Sequence, residues 1–247
     1  MKKIILLLSA LCSLLSAVSF AEQRDRFVFA QLKYSGNWDF YPEVYSEVLR
    51  FLNLTTSIKT LSERRVVTLD DESLFSSPLL IILGSEDFPS LSEKEVEILH
   101  RFIQGGGIIF VDDISGQKGA GFDKAIRREL SRILPDGEWV KLPLEQHPVF
   151  RSFYLLRTVG GRRIVNNYLE GINLSGRTVV IYSQNDLLGA WVKDRLGNYL
   201  YTCLPGGETQ RLEAIKLTAN IALYSLTGTY KTDYIHQPFI QEKLRRR

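Results

Sequence analysis

The stretch that most constrains the fold runs from Leu79 to Gly116. It contains two continuous apolar runs, Leu79 to Leu83 and Ile108 to Val111. Runs that are apolar at every position are typical of strands in a sheet whose two faces are both covered. The sequence therefore predicts two buried strands here.

The segment between these runs has the features of an amphipathic helix. Ser92 and Glu95 have the spacing of a capping box at its start, and Gly105 to Gly107 supply a C-terminal stop. The apolar positions recur at helical spacing: Val96, Leu99, Phe102 and Ile103. A strand–helix–strand crossover makes the two strands parallel. This predicts an α/β fold of three layers, with a mostly parallel central sheet flanked by helices.

The remaining elements fit the same architecture. Strands are predicted at Phe27–Leu32, Arg64–Leu69, Thr178–Tyr182 and Tyr199–Cys203, with shorter ones around Trp139–Val140 and Phe153–Leu156. Gly171–Gly176 is predicted to be a turn. Further helices are predicted from Pro42 through Leu52, over Phe122–Leu134 and over Glu208–Leu226, the last with Leu212 and Leu226 facing inward.

The two ends of the chain differ from the part between them. Residues 1–21 have the basic start, the short apolar stretch and the small residues of a signal peptide, with cleavage near Ala21. We therefore expect a soluble secreted or periplasmic protein with no membrane span after cleavage. Residues 22–230 form one predicted domain, and residues 231–247 form a basic tail.

Charge and cysteine content exclude some classes of protein. Removing Lys2 and Lys3 from the 31 basic residues leaves 29 against 28 acidic residues. That balance lacks the basic footprint of a nucleic-acid-binding protein. After cleavage Cys203 is the single cysteine, so an internal disulfide is not expected.

Several short motifs, in their order and spacing, resemble a known family. They are Phe29–Tyr34, Gly105–Gly107, Asp112–Asp113, His147–Pro148, Gly171–Ile172, Gly176–Arg177, Ser183–Leu187, Arg211, Lys216–Leu217 and Asn220–Tyr224. The chain resembles the bacterial domain-of-unknown-function family DUF4159 over nearly all of its predicted mature length. The resemblance implies a flavodoxin-related fold like that of class I glutamine amidotransferases. It also implies envelope partners of the von Willebrand factor A type or the MoxR-type ATPase class, but no particular reaction.

Amidotransferases of this architecture carry a cysteine nucleophile on a tight turn after a strand, with a histidine and a carboxylate behind it. A thiol needs that exposure and a nearby base to become a nucleophile. Here the strand that follows the glycines runs into Asp112, Asp113, Ile114 and Ser115, and neither aspartate can replace a thiol in acyl transfer from glutamine. Amidotransferase activity is therefore not expected.

Ligands of α/β sheets bind outside the carboxyl ends of the strands. Four predicted loops meet at that edge, and they contain aromatic and polar side chains of the kind that line a ligand crevice. These candidates are Tyr34, Trp38, Asp39, Glu86, Asp112, Asp113, Ser115, Asn185, Asp186 and Trp191. For Asp112 and Asp113 the alternative is a structural role, because carboxylates often bind free backbone N–H groups in tight turns. Successive strand residues alternate in direction, so the two are not expected to share a pocket.

Two functions remain open from the sequence. The favoured one is a non-catalytic module of the cell envelope that binds a ligand or protein, with no cofactor. The alternative is a periplasmic hydrolase that uses Asp112 with Glu86 or Asp186, either alone or with a divalent metal held by the three carboxylates. A Ser115–His147 pair is a further catalytic candidate, although Ser115 lacks the glycine frame of a hydrolase nucleophile.

Overall fold

The computed structural model describes residues 26–227, so the predicted signal peptide and the predicted basic tail lie outside the described residues. Strands β1 to β7 span Ala30–Leu32, Arg65–Val67, Leu79–Gly84, Ile108–Asp113, Glu138–Leu142, Leu169–Leu174 and Arg177–Ser183. Helices α1 to α4 span Val44–Thr55, Glu93–Gln104, Gly121–Ile133 and Gly207–Thr227. Short 3₁₀ helices cover Glu72–Ser76, Pro148–Phe150 and Leu188–Trp191.

The seven strands form one mostly parallel sheet in the order β2-β1-β3-β4-β7-β6-β5. The first five strands in this order, β2-β1-β3-β4-β7, are parallel to their neighbours. Strand β6 is antiparallel to both β7 and β5. Asp112 at the end of β4 pairs with Leu83 of β3 and Ser183 of β7. The carboxyl ends of these three strands therefore lie side by side.

The sheet has helices on both faces, as the sequence predicts. Helices α1 and α4 pack on the face that carries Phe110, and α2 and α3 pack on the face that carries Val111. The predicted capping box is confirmed, because Ser92 Oγ accepts from the Glu95 amide and Glu95 Oε2 accepts from the Ser92 amide. Among the described residues, no helix combines the length and apolar character needed to cross a membrane.

The prediction of a turn at Gly171–Gly176 was wrong for most of that segment. Strand β6 continues through Leu174, and the chain reverses only at Ser175 and Gly176, which both have positive φ. A Cβ on Gly171 would lie 2.8 Å from Leu142 Cδ2 and 2.9 Å from the Val180 carbonyl oxygen. Gly171 therefore permits close approach of neighbouring strands, and it does not mark a turn.

Two other predicted strands were also wrong, since neither Tyr199–Cys203 nor Phe153–Leu156 is a strand. Side chains of α4 hold both segments instead. Arg211 donates to the Tyr201 carbonyl at 2.6 Å, and Asn220 Oδ1 accepts from the Phe153 and Tyr154 amides. Arg211 and Asn220 are buried, whereas Leu212 and Leu226, predicted to face inward, are 55% and 45% exposed.

Candidate functional site at the carboxyl edge of the sheet

The side chain of Asp112 is buried at the end of β4. Its Oδ1 accepts from the Leu187 amide at 2.9 Å, and its Oδ2 accepts from the Leu188 amide at 2.8 Å. These two donors begin the 3₁₀ helix Leu188–Trp191, whose first amides have no partner within the helix. Both oxygens of Asp112 thus hold the chain that follows β7.

Asp186 lies in the turn between β7 and the 3₁₀ helix Leu188–Trp191. It is also buried, with a left-handed φ of 53°. It accepts from the Gly189 amide at 3.1 Å and from the Tyr41 hydroxyl at 3.3 Å, and it forms an ion pair with Arg162 Nε. A Cβ on Gly189 would lie 2.6 Å from Asp186 Cγ, so glycine is needed at this position. Asp186 therefore joins three separate segments of the chain.

The electrostatics of this pair follow from burial. Burial and, to a lesser extent, the nearby charge of Asp186 together raise the pKa of Asp112 to about 8, against the opposing effect of the two amide donors. Burial also raises the pKa of Asp186, while the Arg162 guanidinium opposes that rise. Burial therefore favours the protonated form of Asp112, whereas Arg162 stabilises the negative charge of Asp186.

Asp113 points to the opposite face of the sheet, as strand alternation predicts. Its Oδ1 accepts from the Ser115 amide at 2.8 Å, from Ser115 Oγ at 2.7 Å and from the Gly116 amide at 3.3 Å. Ser115 Oγ in turn accepts from the Gln117 amide at 3.1 Å. The hydroxyl of Ser115 is therefore part of a tight turn.

Asn185, which lies two residues after the end of β7, also binds backbone groups. Its Oδ1 accepts from the amides of Val165 and Asn166 at 2.8 and 2.9 Å, and its Nδ2 donates to the Asn166 carbonyl at 2.8 Å. The Asn166 side chain donates to Gln184 Oε1 at 2.5 Å. The segment before β6 is thus fastened to the end of β7.

The loop after β1 packs against the carboxyl end of the neighbouring strand β3. The Tyr34 hydroxyl donates to the Leu83 carbonyl at 3.1 Å, and its ring packs on Phe88 with a centroid distance of 4.8 Å. A Cβ on Gly84 would lie 2.6 Å from the Tyr34 hydroxyl oxygen. Aromatic side chains therefore close this part of the edge.

The other two candidates on this loop are held by Arg64. Asp39 accepts two hydrogen bonds from its guanidinium at 2.6 and 3.0 Å, and the same group lies 5.7 Å from the ring centroid of Trp38. The Trp38 carbonyl accepts from the buried side chain of Gln31 at 2.8 Å. Trp38 and Asp39 thus fix the loop to β1 and β2.

The last three candidates do not join the Asp112–Asp186 pair. Glu86 is exposed after β3, and Trp191 is buried with its Nε1 donating to Thr218 Oγ1 at 3.0 Å. His147 lies beside Thr178 at the start of β7, five residues or about 16 Å from the strand's carboxyl end. Burial lowers the pKa of His147 to about 4, so it is neutral, and its Nδ1 accepts from the Val149 amide.

Sequence reasoning missed several residues that complete these networks. Besides Arg162 and Tyr41, they include Asp123 in the first turn of α3 and Tyr182 of β7, whose hydroxyl donates to Asp123 Oδ1 at 2.8 Å. Asp123 also accepts from the Gly119 amide at 2.6 Å, which fixes the loop after β4. An acidic residue in a first helical turn is a visible signal for such a cap.

No group of three or more His, Cys, Asp or Glu side chains within residues 26–227 is arranged to hold a metal ion. The Asp112–Asp186 pair is supplied instead with amide, hydroxyl and guanidinium donors from the chain itself.

An open cleft of about 490 Å³ lies beside these networks, between the loop before β6 and the start of α4. Its walls are mostly apolar, with a few polar groups. The lining residues are Leu144, Arg157, Thr158, Val159, Ile164, Asn167, Pro205, Gly206, Thr209, Gln210 and Glu213. None of the candidates that the sequence predicts for the site is among them.

The chain matches a known protein family over most of its length. The family model described as a domain of unknown function, DUF4159, matches residues 28–226. A search of curated proteins finds no match.

Proposed function

Because the chain belongs to the DUF4159 family, whose function is unknown, we propose from its own contacts that it is a non-catalytic module that binds a polypeptide. One observation carries most weight. The polar side chains at the carboxyl edge bind the protein's own loops, whereas the cleft next to them is open and apolar. An apolar cleft with a few polar groups is the usual form of a binding site.

The same contacts weigh against the hydrolase alternative. A carboxylate that acts as a general base or metal ligand needs an oxygen within reach of the substrate or ion. Both oxygens of Asp112 accept buried backbone amides, and those amides would lose their partners if Asp112 turned toward a substrate. Ser115 and His147 lie toward opposite ends of the sheet, so they cannot form a nucleophile–base pair in this arrangement.

We also propose a specific fold within the α/β class. The order β2-β1-β3-β4-β7 has the flavodoxin-like pattern 2-1-3-4-5, which supports a flavodoxin-related, amidotransferase-like fold. In such an enzyme a cysteine would follow one of the strands, whereas Asp112 and Asp113 end β4 here. The module would then be an amidotransferase-like scaffold that binds without catalysis.

The cellular setting is also a proposal. The signal-like residues 1–21 support export to the periplasm or the exterior, where a binding module would act within the cell envelope. Partners of the von Willebrand factor A type or the MoxR-type ATPase class are proposed from family resemblance alone.

Selection of binders from a displayed random heptapeptide library tests the binding function. We expect enriched peptides to lose at least about tenfold in affinity when Thr209→Trp fills the cleft, because the large side chain removes the space for an anchoring residue. Fluorescence anisotropy of the labelled peptides with the purified chain measures this change.

Thr55→Trp is the matched control, since Thr55 is an exposed helical threonine on α1, outside the cleft. It should leave the affinity unchanged. Failure to enrich any peptide, or equal loss in both variants, would contradict the proposal. Cleavage of bound peptides that stops on chelation of metals would favour the hydrolase.

A further inference from the structure

We infer that the cleft binds an extended polypeptide segment in which a large apolar side chain lies next to a carboxylate. This inference rests on the proposed binding function and adds the chemistry of the partner. It follows from the shape of the apolar surface and from the charges that line it.

Exposed apolar side chains lie beyond the cleft in two directions. Leu204 is 56% exposed and lies beside Ile164, whose amide donates to the Leu204 carbonyl at 3.0 Å. Phe153 is 45% exposed and is held by Asn220, two helical turns along α4 from Glu213.

The length of this surface indicates the kind of partner. Along α4 the distance from Gly207 at its start to Asn220 is 13 residues, or about 20 Å. An extended chain of about seven residues covers that distance. A polypeptide therefore matches the exposed apolar surface better than a compact small molecule does, because a small molecule would occupy only the cleft.

The charges of the lining indicate the sign of the partner. Arg157 and Glu213 are the charged residues among those that line the cleft. Glu213 is neutralised by Lys216 at 2.9 Å, and Gln210 donates to the carbonyls of Gly161 and Leu204. Arg157 is exposed and has no hydrogen-bond or ion-pair partner within residues 26–227.

The net charge that the cleft presents is therefore one uncompensated guanidinium at the edge of an apolar surface. Guanidinium groups pair with carboxylates through two parallel hydrogen bonds, which adds geometric specificity to the attraction. A carboxylate beside the anchoring side chain complements Arg157, whereas a lysine at that position is repelled.

Three labelled heptapeptides test this inference: Gly-Ser-Phe-Glu-Phe-Ser-Gly and its versions with Gln or Lys in place of Glu. We expect the purified chain to bind the Glu peptide about threefold to fivefold more tightly than the Gln peptide, and to bind the Lys peptide most weakly. Arg157→Glu should reverse the order. Arg195→Glu, at an exposed arginine outside the cleft lining, should leave the order unchanged.

The results distinguish a failure of the acidic preference from a failure of the binding function. If the three peptides bind with equal affinity and Thr209→Trp abolishes binding, the binding function stands and the acidic preference is wrong. If none of the three peptides binds but library-selected peptides do and show no acidic enrichment, the preference is again wrong. If no peptide of either kind binds, both proposals fail.

Discussion

Replacement of Gly160 by alanine is expected to destabilise the protein by about 3 kcal/mol or more. An added Cβ would overlap the backbone nitrogen and Cα of Ala214 and lie 2.6 Å from the carbonyl carbon of Glu213. Those atoms belong to the backbone of α4, so they cannot move aside as a side chain can. The loop that forms one wall of the cleft would separate from the helix.

Urea unfolding measures this effect, and Gly105→Ala is the matched control. Gly105 ends α2 with φ −70°, and a Cβ there would come no closer than 3.3 Å to the Arg101 carbonyl oxygen. We expect its free energy of unfolding to change by less than about 1 kcal/mol. Equal stability of Gly160→Ala and the unsubstituted protein would show that this loop does not rest on α4.

Replacement of Asp112 by alanine is expected to cost about 2 to 5 kcal/mol, because the buried amides of Leu187 and Leu188 lose their acceptors. Asp112→Asn should cost less, since its carbonyl oxygen retains at least one of the two hydrogen bonds. Asp194 is the control: it also accepts two amides, from Leu196 and Asn198, but on an exposed turn. Asp194→Ala should therefore have only a small effect.

Asp112 also makes stability depend on pH in a defined direction. Its pKa is about 8 in the folded state, whereas an unfolded aspartate titrates near 3.9. Between these values the folded state binds more protons, so the free energy of unfolding falls as pH rises, by at most about 1.4 kcal/mol per pH unit. The contribution is complete below about pH 4 and is lost as pH rises through 8. Asp113 and Asp186, whose pKa values are also raised, act in the same direction.

Asp112→Asn should flatten this dependence between pH 6 and 9, as measured by urea unfolding at each pH. His147 acts in the opposite sense at lower pH, because its pKa of about 4 favours the neutral form in the folded state. Its contribution is lost as pH falls from about 6.5 to 4. An unchanged slope in Asp112→Asn above pH 6 would show that Asp112 is already ionised at neutral pH.

The sequence predicted the central layer well for a physical reason. Strands β3 and β4 are apolar at every core position, and α2 has a capping box and a regular stripe, so local pattern and buried environment agree. The turn predicted from Gly171 was wrong because a glycine that permits close approach of two strands cannot be told from a turn glycine in the sequence.

The candidate site was harder to predict. The sequence placed Asp112 and Asp186 at the correct edge, but their roles depend on partners that are distant in the chain. The Leu187 amide lies 75 residues from Asp112, and Arg162 lies 24 residues from Asp186. No local pattern shows that both oxygens of a carboxylate are already occupied. The cleft was missed because the loop before β6, which forms one of its walls, has no periodic pattern.

The central claim is that the polar side chains at the carboxyl edge hold the protein's own loops. Hydrogen exchange of the Leu187 and Leu188 amides, followed by NMR on the unsubstituted protein, tests it most directly. We predict that both amides exchange about as slowly as those of β4 and β7. Exchange as fast as that of the exposed loop residue Lys118 would contradict the claim, because Asp112 would then be free to bind a substrate or a metal.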